Sequence, residues 1–544
     1  MKILVAQLNY TIGDLKGNTD KILEALGQAR KEEVDIVVFS ELALCGYPPE
    51  DLLLHESFIE EVEQCLEKIV KASHALFVVV GLPRKNPRKE ERPLCNSAAI
   101  IRDGKLLGFQ DKWLLPTYDV FDERRYFEPG KEVFTWELGG KKIAVLICED
   151  IWQHAQLEGG AFYLQDPVEV LRKEKIDLLI NVSASPYHLQ KLDLRIRICK
   201  SVIKTLECPL ILCCQVGGND QLVFDGYSLF LGKEGEVIDR AKGFEEDLKI
   251  WNSNETKKQE MASLDPRKEL FSALVLGVRD YFHKSGFKKA CIGLSGGIDS
   301  ALVACIAVEA LGKENILGIG MPSRYSSSSS IEDAKLLAKN LGIAFEELSI
   351  EGPFQAYLEL LMPYFASYPM DVTEENLQAR VRGMILMAFS NKFGYIVLST
   401  GNKSEFAFGY NTLYGDLCGG ISVISDLTKK QVYELSYYVN ESQEKIPIST
   451  LTKAPSAELR PNQKDSDSLP SYDVLDRLLN LYVEETRSPE EIAKEMQLDL
   501  SFIQLWIHKL HQAEYKRRQS PPGIRVSPKS FHVGRKYPIV QKWK

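Results

Sequence analysis

The sequence predicts an α/β protein built from two domains. Three observations carry that expectation. Short apolar runs alternate with stretches of helical period over 1–240 and again over 290–460, as strands and helices do in α/β folds. A polar stretch of little periodicity separates the two series. A glycine-rich turn at 293–297 joins an apolar run to a helix of small and apolar residues, the local form of a doubly wound parallel sheet that binds nucleotides. At 544 residues the chain is too long for one core. The expected domains are 1–245 and 270–544, with 246–269 as a linker.

In the first domain, strands are expected at 2–7, 36–39, 76–80, 97–101, 143–147, 178–182, 210–214 and 228–231. Helical periodicity fills 18–31, 58–73, 167–175 and 192–206. Arg102-Asp-Gly-Lys105 and Lys233-Glu-Gly-Glu236 read as hairpin turns, so the sheets are mixed. A helix at 270–284 enters the second domain, which has strands at 290–294, 316–321, 345–348 and 395–399. The serines at 326–330 form a loop that caps a helix beginning near Ile331. Residues 461–471 are polar and expected to be disordered; most of the remainder is helical, with a proline-rich stretch at 520–530.

The 44% hydrophobic and 26% charged fractions are those of an ordinary globular protein. A net charge of −9 argues against a nucleic-acid partner, and no apolar run approaches the roughly 18–20 residues that span a bilayer. The chain opens on a strand pattern without a signal-peptide cleavage site. Its 11 cysteines include no C-x-x-C pair, so a reducing, cytoplasmic setting is expected. The 8 histidines form no zinc pattern.

Two segments carry chemistry. The first is Cys291-Ile-Gly-Leu-Ser-Gly-Gly-Ile-Asp-Ser300. Its small residues let backbone N–H groups reach an anion at a helix start. It lacks the Gly-Lys-Ser/Thr ending of a Walker loop and ends instead in Asp299, a carboxylate able to hold Mg²⁺ beside phosphates. The same residues also fit the hydrolase elbow G-x-S-x-G, which would make Ser295 a nucleophile served by His508, His511 or His532. A plain glycine turn is a third reading. The second segment is a set of residues at or just after strand ends: Glu41 after 36–39, Lys112 within 109–116, and Cys148 after 143–147. A thiol needs a base to become a nucleophile, and a lysine stabilises an oxyanion, so the three make a sensible amide-cleaving group.

Ser40-Glu-Leu-Ala-Leu-Cys-Gly-Tyr47, Asp111-Lys-Trp-Leu-Leu-Pro116, Phe121-Asp-Glu-Arg-Arg-Tyr-Phe127 and Ile147-Cys-Glu-Asp-Ile-Trp152 resemble the nitrilase, or carbon–nitrogen hydrolase, superfamily over roughly 1–250. The resemblance implies an α-β-β-α sandwich with Glu41 as base, Lys112 at the oxyanion, Cys148 as nucleophile and Glu123 as supporting glutamate. Asn181-Val-Ser-Ala-Ser-Pro-Tyr187 is similar to the substrate-side loop of that superfamily, and Tyr118, Ser185 and Lys191 are the implied glutamine contacts.

Ser295–Ser300 resembles the SGGxDS signature of the ATP pyrophosphatase family. Gln378-Ala-Arg-Val-Arg382 sets two arginines on a helix, suited to phosphate or carboxylate. Ser399-Thr-Gly-Asn-Lys-Ser-Glu405, Asn411-Thr-Leu-Tyr-Gly-Asp416 and Asp426-Leu-Thr-Lys-Lys430 narrow the resemblance to the NAD synthetase family, in its glutamine-dependent branch. That family amidates deamido-NAD⁺ with ATP and L-glutamine through an adenylated intermediate, releasing AMP, pyrophosphate and glutamate. The resemblance implies ATP contacts at Gly293, Leu294, Ser295, Gly296, Gly297, Ile298, Asp299, Ser300, Thr400, Lys429 and Ser456. It implies deamido-NAD⁺ contacts at Asn376, Arg380, Glu405 and Lys516, Mg²⁺ at Asp299 and Glu405, and a homo-oligomer. Leu413 stands where ammonia-only members carry a lysine for the dinucleotide. Other pyrophosphatase-type amidotransferases, such as GMP and asparagine synthetases, carry different glutaminase domains. A nucleotide-binding regulator with a relic amidase is the non-enzymatic alternative.

Overall fold

The computed structural model describes residues 1–88, 92–156, 162–253 and 264–543. The chain divides into two compact units, Met1–Ser263 and Leu264–Lys544.

The first unit runs β1 (Lys2–Gln7), α1 (Leu15–Lys31), β2 (Ile36–Phe39), α2 (Glu56–Ala72), β3 (Phe77–Lys85), β4 (Leu94–Arg102), β5 (Lys105–Asp111), β6 (Thr135–Leu138), β7 (Lys141–Ile147), α3 (Pro167–Leu171), β8 (Leu178–Ser183), α4 (Lys191–Leu206), β9 (Leu210–Cys214), β10 (Val216–Asn219), β11 (Leu222–Asp225), β12 (Leu229–Leu231), β13 (Val237–Arg240) and β14 (Asp247–Asn252). Two six-stranded sheets form, ordered β14-β1-β2-β3-β4-β5 and β13-β12-β9-β8-β7-β6. Their inner faces share one core: Ile3, Val38 and Val79 of the first sheet pack with Val145, Ile180 and Phe230 of the second. The central strands are buried along their whole length, which explains their unbroken apolar wording. α1 and α2 bury one face each, through Ile22 and Leu26 and through Ile59, Val62 and Ile69. The result is the sandwich implied by the first resemblance.

The second unit runs α5 (Pro266–Lys284), β15 (Lys289–Gly293), α6 (Ile298–Leu311), β16 (Ile316–Gly320), α7 (Ser328–Leu341), β17 (Ala344–Glu347), α8 (Glu351–Phe365), α9 (Val372–Phe393), β18 (Tyr395–Ser399), α10 (Lys403–Phe408), β19 (Ile421–Ser422) and α11 (Lys429–Asn440), followed by further helices. Its five strands lie in the order β17-β16-β15-β18-β19, and every pair is parallel. Strand order reverses between β15 and β18, so the loops that follow these two strands flank the crevice where doubly wound sheets bind ligands. The later helices Tyr472–Leu479, Pro489–Met496 and Leu500–Gln512 close over Phe406 and Phe408 of α10 in a second core. Among the described residues no helix is long and apolar enough to cross a membrane.

Three expectations need correction. The stretch 246–269 is regular at both ends: Asp247–Asn252 is β14, antiparallel to β1, and α5 begins at Pro266 under an Asp265 cap. Polar residues hid β14, although Trp251 packs on Phe230 with ring centroids 5.4 Å apart. Residues 254–263 of that stretch lie outside the described residues. β10 and β11 were not anticipated, because Gly217-Gly218 reads as a turn rather than as a strand. The segment 461–471 is ordered by buried polar groups, Gln463 and Asp465 among them.

Candidate active sites

In the first unit three strand ends converge. Glu41 lies beyond β2, Lys112 directly after β5 and Cys148 directly after β7. The Lys112 ammonium donates to Glu41 Oε1 at 2.7 Å and to Glu123 Oε1 at 2.7 Å. The Glu41 carboxylate also accepts from Asn96 Nδ2 at 2.8 Å and from the Ala184 N–H at 3.0 Å. Tyr47 OH donates to Glu123 Oε1 at 3.0 Å. Ser183 Oγ donates to Cys148 Sγ at 3.3 Å. Glu41, Lys112, Glu123 and Cys148 are all buried.

One ammonium thus faces two carboxylates in a buried site. Burial pulls the Lys112 ammonium down, but Glu123, Glu41 and Cys148 outweigh it and hold the lysine above its ordinary range. Burial, with Glu41 alongside, pushes the Glu123 carboxyl up to about 7 against the pull of Lys112. Burial and the Glu41 charge push the Cys148 thiol up, with Lys112 opposing. The resting sulfur is therefore a thiol and needs a base when it attacks. Cys148 has φ +43°, a left-handed conformation of the kind retained at functional turns.

Tyr118, Ser185 and Lys191 surround this cluster in different ways. Tyr118 OH donates to Glu149 Oε1 at 2.9 Å, and Tyr163 OH donates to the same oxygen at 3.1 Å. Burial pushes the Glu149 carboxyl up. The Lys191 ammonium stands 4.3 Å from the Trp152 ring centre. Ser185 is buried, and its carbonyl accepts from Arg195 Nη2 at 2.7 Å, while Arg195 clamps Asp225 with a pair of bonds.

In the second unit the glycine-rich turn follows β15. Gly296 has φ +76°, and a Cβ there would meet the Ser330 carbonyl oxygen at 2.2 Å. Ser295 Oγ accepts from the Gly297 N–H at 3.2 Å. Gly297 caps α6 without a side chain, which leaves the first turn of the helix without a side-chain acceptor. Beside the turn opens a cavity of about 1040 Å³. It is larger than the roughly 300–1,000 Å³ usual for one drug-sized ligand. Of the anticipated residues, Gly293, Leu294, Ser295, Thr400, Ser456, Asn376 and Lys516 line it; Gly296 to Ser300, Arg380, Glu405 and Lys429 do not.

Asp299, Glu405 and Lys429 form a cluster of their own. Lys429 pairs with Asp299 Oδ2 and lies 3.5 Å from Glu405 Oε1. Asn402 Nδ2 donates to Asp299 Oδ1 at 2.8 Å. A capping box sets Glu405: Asn402 Oδ1 accepts from the Glu405 N–H at 3.1 Å, and Glu405 Oε2 accepts from the Asn402 N–H at 3.2 Å. Burial, then repulsion from Asp299, pushes the Glu405 carboxyl up to about 8 against Lys429. Asp465 adds a third negative group within electrostatic reach, held by Tyr472 OH at 2.8 Å. Among the described residues no three ligating side chains form a ready-made metal cage. Two carboxylates completed by substrate oxygens are, however, a common way to hold Mg²⁺.

Of the remaining anticipated residues, Lys516, Arg380 and Asn376 gather around 409–416. Lys516 Nζ donates to the carbonyls of Gly409 and Asn411, both at 2.7 Å, and Arg380 Nε to that of Leu413 at 3.2 Å. Thr412 Oγ1 donates to Asn376 Oδ1 at 2.7 Å. Ser456 Oγ donates to the Gln463 carbonyl at 2.6 Å. Sequence reasoning set both Arg380 and Arg382 on one helix but gave the dinucleotide contact to Arg380 alone; Arg382 lines the cavity and donates through Nε to the Met321 carbonyl at 3.0 Å. Burial pulls Arg382 down to about 10, with Glu458 opposing. Asn96, Tyr47, Asp150 and Asp465 were given no role; Tyr47 and Asp150 lie inside quoted motifs, whereas Asn96 and Asp465 reach their sites across strands or loops with no local sequence signal.

A carbon–nitrogen hydrolase family model matches residues 2–252, and an NAD synthase family model matches residues 270–520. The chain is 47% identical over 553 residues to a glutamine-dependent NAD(+) synthetase of a Synechocystis species, covering 99% of this chain and 98% of that one. It is 42% identical over 583 residues to the glutamine-dependent NAD(+) synthetase of Thermotoga maritima, covering 100% and 99%. Among solved structures it is similar to a glutamine-dependent NAD+ synthetase from Acinetobacter baumannii in complex with ADP, with a TM-score of 0.78, 38% identity, and coverage of 100% and 99%. A structure of a glutamine-dependent NAD(+) synthetase from Cytophaga hutchinsonii shares the fold, with a TM-score of 0.85, 21% identity, and coverage of 99% and 98%.

Proposed function

The chain belongs to the glutamine-dependent NAD(+) synthetase family, and from that premise we propose how its two sites divide one reaction. The reaction is the ATP-dependent amidation of deamido-NAD⁺ to NAD⁺, with glutamine as nitrogen donor. In the first unit Cys148 attacks the side-chain amide of glutamine, and Glu41 takes the thiol proton. The Lys112 ammonium faces the oxyanion of the tetrahedral intermediate, and Glu123 holds that ammonium in place. Glu41 returns that proton to the amide nitrogen, ammonia leaves, and water hydrolyses the thioester to glutamate and restores the thiol. Tyr118, Ser185 and Lys191 hold the substrate's other end, and the Glu149 carboxylate suits its α-ammonium.

A carboxylate is a poor electrophile, so the second unit activates it. The turn from Gly293 to Ser300, with Thr400, Lys429 and Ser456, holds ATP. Asn376, Arg380, Glu405 and Lys516 hold deamido-NAD⁺. The nicotinate carboxylate displaces pyrophosphate from the α-phosphate, and ammonia then displaces AMP from the acyl-adenylate, giving NAD⁺. Asp299 and Glu405 would hold Mg²⁺, which screens the charge on the phosphates. The surplus of negative charge around Lys429 supports that assignment. The eleven free thiols suit a reducing, cytoplasmic setting. A homo-oligomer is supported by α8, whose one buried residue is Phe354, while Leu360, Met362 and Tyr364 stand exposed.

The observation that carries the reading is that one chain holds both the buried Glu41–Lys112–Glu123 cluster beside Cys148 and the Gly296 turn beside a large cavity. Its test is NAD⁺ formation from deamido-NAD⁺ and Mg²⁺-ATP, with glutamine or ammonium as donor, for wild type and Cys148→Ala. Wild type uses both donors, and Cys148→Ala uses ammonium alone. If glutamine is hydrolysed yet neither donor yields NAD⁺, the synthetase half of the reading fails.

A further inference from the structure

We propose that Asp150 is a positioning residue of the amide-cleaving site, one carboxylate that fixes the separation of the Lys112 ammonium and the Cys148 sulfur. The proposal rests on the reading of the first unit as a glutaminase. Asp150 is fully buried. Its Oδ1 accepts from the N–H groups of Trp113 and Leu114, each at 2.9 Å, and its Oδ2 accepts from the Ile147 N–H at 3.0 Å. Trp113 directly follows Lys112, and Ile147 directly precedes Cys148. Lys112 directly follows β5, an edge strand of the first sheet; Cys148 directly follows β7, a strand of the second. The carboxylate therefore staples the two sheets together where the oxyanion-stabilising group and the nucleophile emerge.

Two further facts support this role. Cys148 is held at φ +43°, a backbone state that persists only when its surroundings over-determine it. Asp150 grips the N–H of the residue just before it, and Asn181 Nδ2 donates to the Cys148 carbonyl at 3.5 Å on the other side. The Lys112 N–H is tied separately to the Asn96 carbonyl at 2.8 Å, so that strand end has one anchor to its own sheet and one to the opposite sheet. All three donors on Asp150 are main-chain N–H groups. An amide in its place would offer one acceptor oxygen and turn an NH₂ group against the remaining donors.

The test is Asp150→Asn in the full chain, with two readouts on the same sulfur. Glutamine hydrolysis builds an oxyanion and needs Lys112. Alkylation of Cys148 by iodoacetamide is a direct displacement with no oxyanion, and Cys148→Ala supplies its background. A lost staple lowers kcat for hydrolysis by about 10–10²-fold, because misplacement on the order of 1 Å costs that much. The KM for glutamine and the alkylation rate stay within about threefold of wild type. Hydrolysis within about threefold of wild type overturns the proposal. So does a parallel fall in hydrolysis and alkylation, which would mean that Asp150 only keeps the turn folded. Ammonium-driven NAD⁺ synthesis checks that the chain is intact, and Asp150→Ser, which keeps one acceptor oxygen, serves as the second variant. Failure of both variants to fold assigns Asp150 to folding and also overturns the proposal. A wild type that releases no glutamate is a separate result, and it removes the glutaminase reading itself.

Discussion

At the scale of residues, both sites place one lysine between two carboxylates: Lys112 between Glu41 and Glu123, and Lys429 between Asp299 and Glu405. Removing such a cation leaves buried charges uncompensated, at a cost of roughly 3–5 kcal/mol. Lys112→Met should therefore lower the thermal midpoint of the first unit as well as abolish glutamine hydrolysis, both read on one preparation by calorimetry and glutamate release. Glu123 also makes that midpoint depend on pH. Its carboxyl sits near 7 in the folded chain, above the ordinary carboxylate range, so the folded state keeps a proton that the unfolded state gives up. Stability from this group is fully present below about pH 4.5 and is lost as pH rises through about 7. Glu123→Gln should flatten the fall of the midpoint between those values; an unchanged slope would assign the dependence elsewhere. Glu41 and Cys148 stood out in the sequence because each follows an apolar run, whereas Lys112 stood out only through the wording of its motif. The roles of Asn96 and Asp150 were not legible, because the bonds from Asn96 to Glu41 and to Asp150 from Trp113 and Leu114 cross from one strand end to another and leave no spacing in the chain.

At the scale of elements, the glycine-rich turn and the short helix α10 do the positioning in the second unit. Gly296 is confined twice, by φ +76° and by the Ser330 carbonyl oxygen 2.2 Å from where a Cβ would stand. Gly296→Ala must move α7 or the turn itself. We expect ammonium-driven NAD⁺ synthesis to fall by about 10²-fold, with a stability cost of roughly 1–3 kcal/mol. α8 makes a different prediction. If its apolar face is covered by a second copy of the chain, Leu360→Asp lowers the mass measured by light scattering; an unchanged mass removes α8 from the interface. The serine run at 326–330 was read as a cap, and Ser327 does cap α7 by accepting from the Ser330 N–H. What the run's wording does not contain is that the Ser330 carbonyl walls the glycine-rich turn, a contact made by an element some thirty residues further along the chain.

At the scale of the whole molecule, each unit has its own sheets, core and candidate site. Residues 264–544 produced alone should therefore keep ammonium-driven synthesis within about tenfold of the full chain and lose the glutamine-driven reaction. An inactive fragment that is nonetheless folded by circular dichroism would show that the second site depends on the first unit. The alternation of apolar and amphipathic runs made the α/β class and the two-part organisation legible. The division itself was drawn a few residues early, because β14 belongs to the first sheet by pairing and not by wording. That pairing has a mechanical consequence. Lys2 lies opposite Asn252 and Gln7 opposite Asp247, so the first strand and the last strand of the unit meet antiparallel with their free ends together. Tension applied between residues 2 and 252 loads the rungs of this ladder one after another, as a zipper opens from its end. In a single-molecule pulling experiment the unit should therefore yield first at β14, at a force well below that needed when the handles are moved to residues 7 and 252, where the same rungs must shear together.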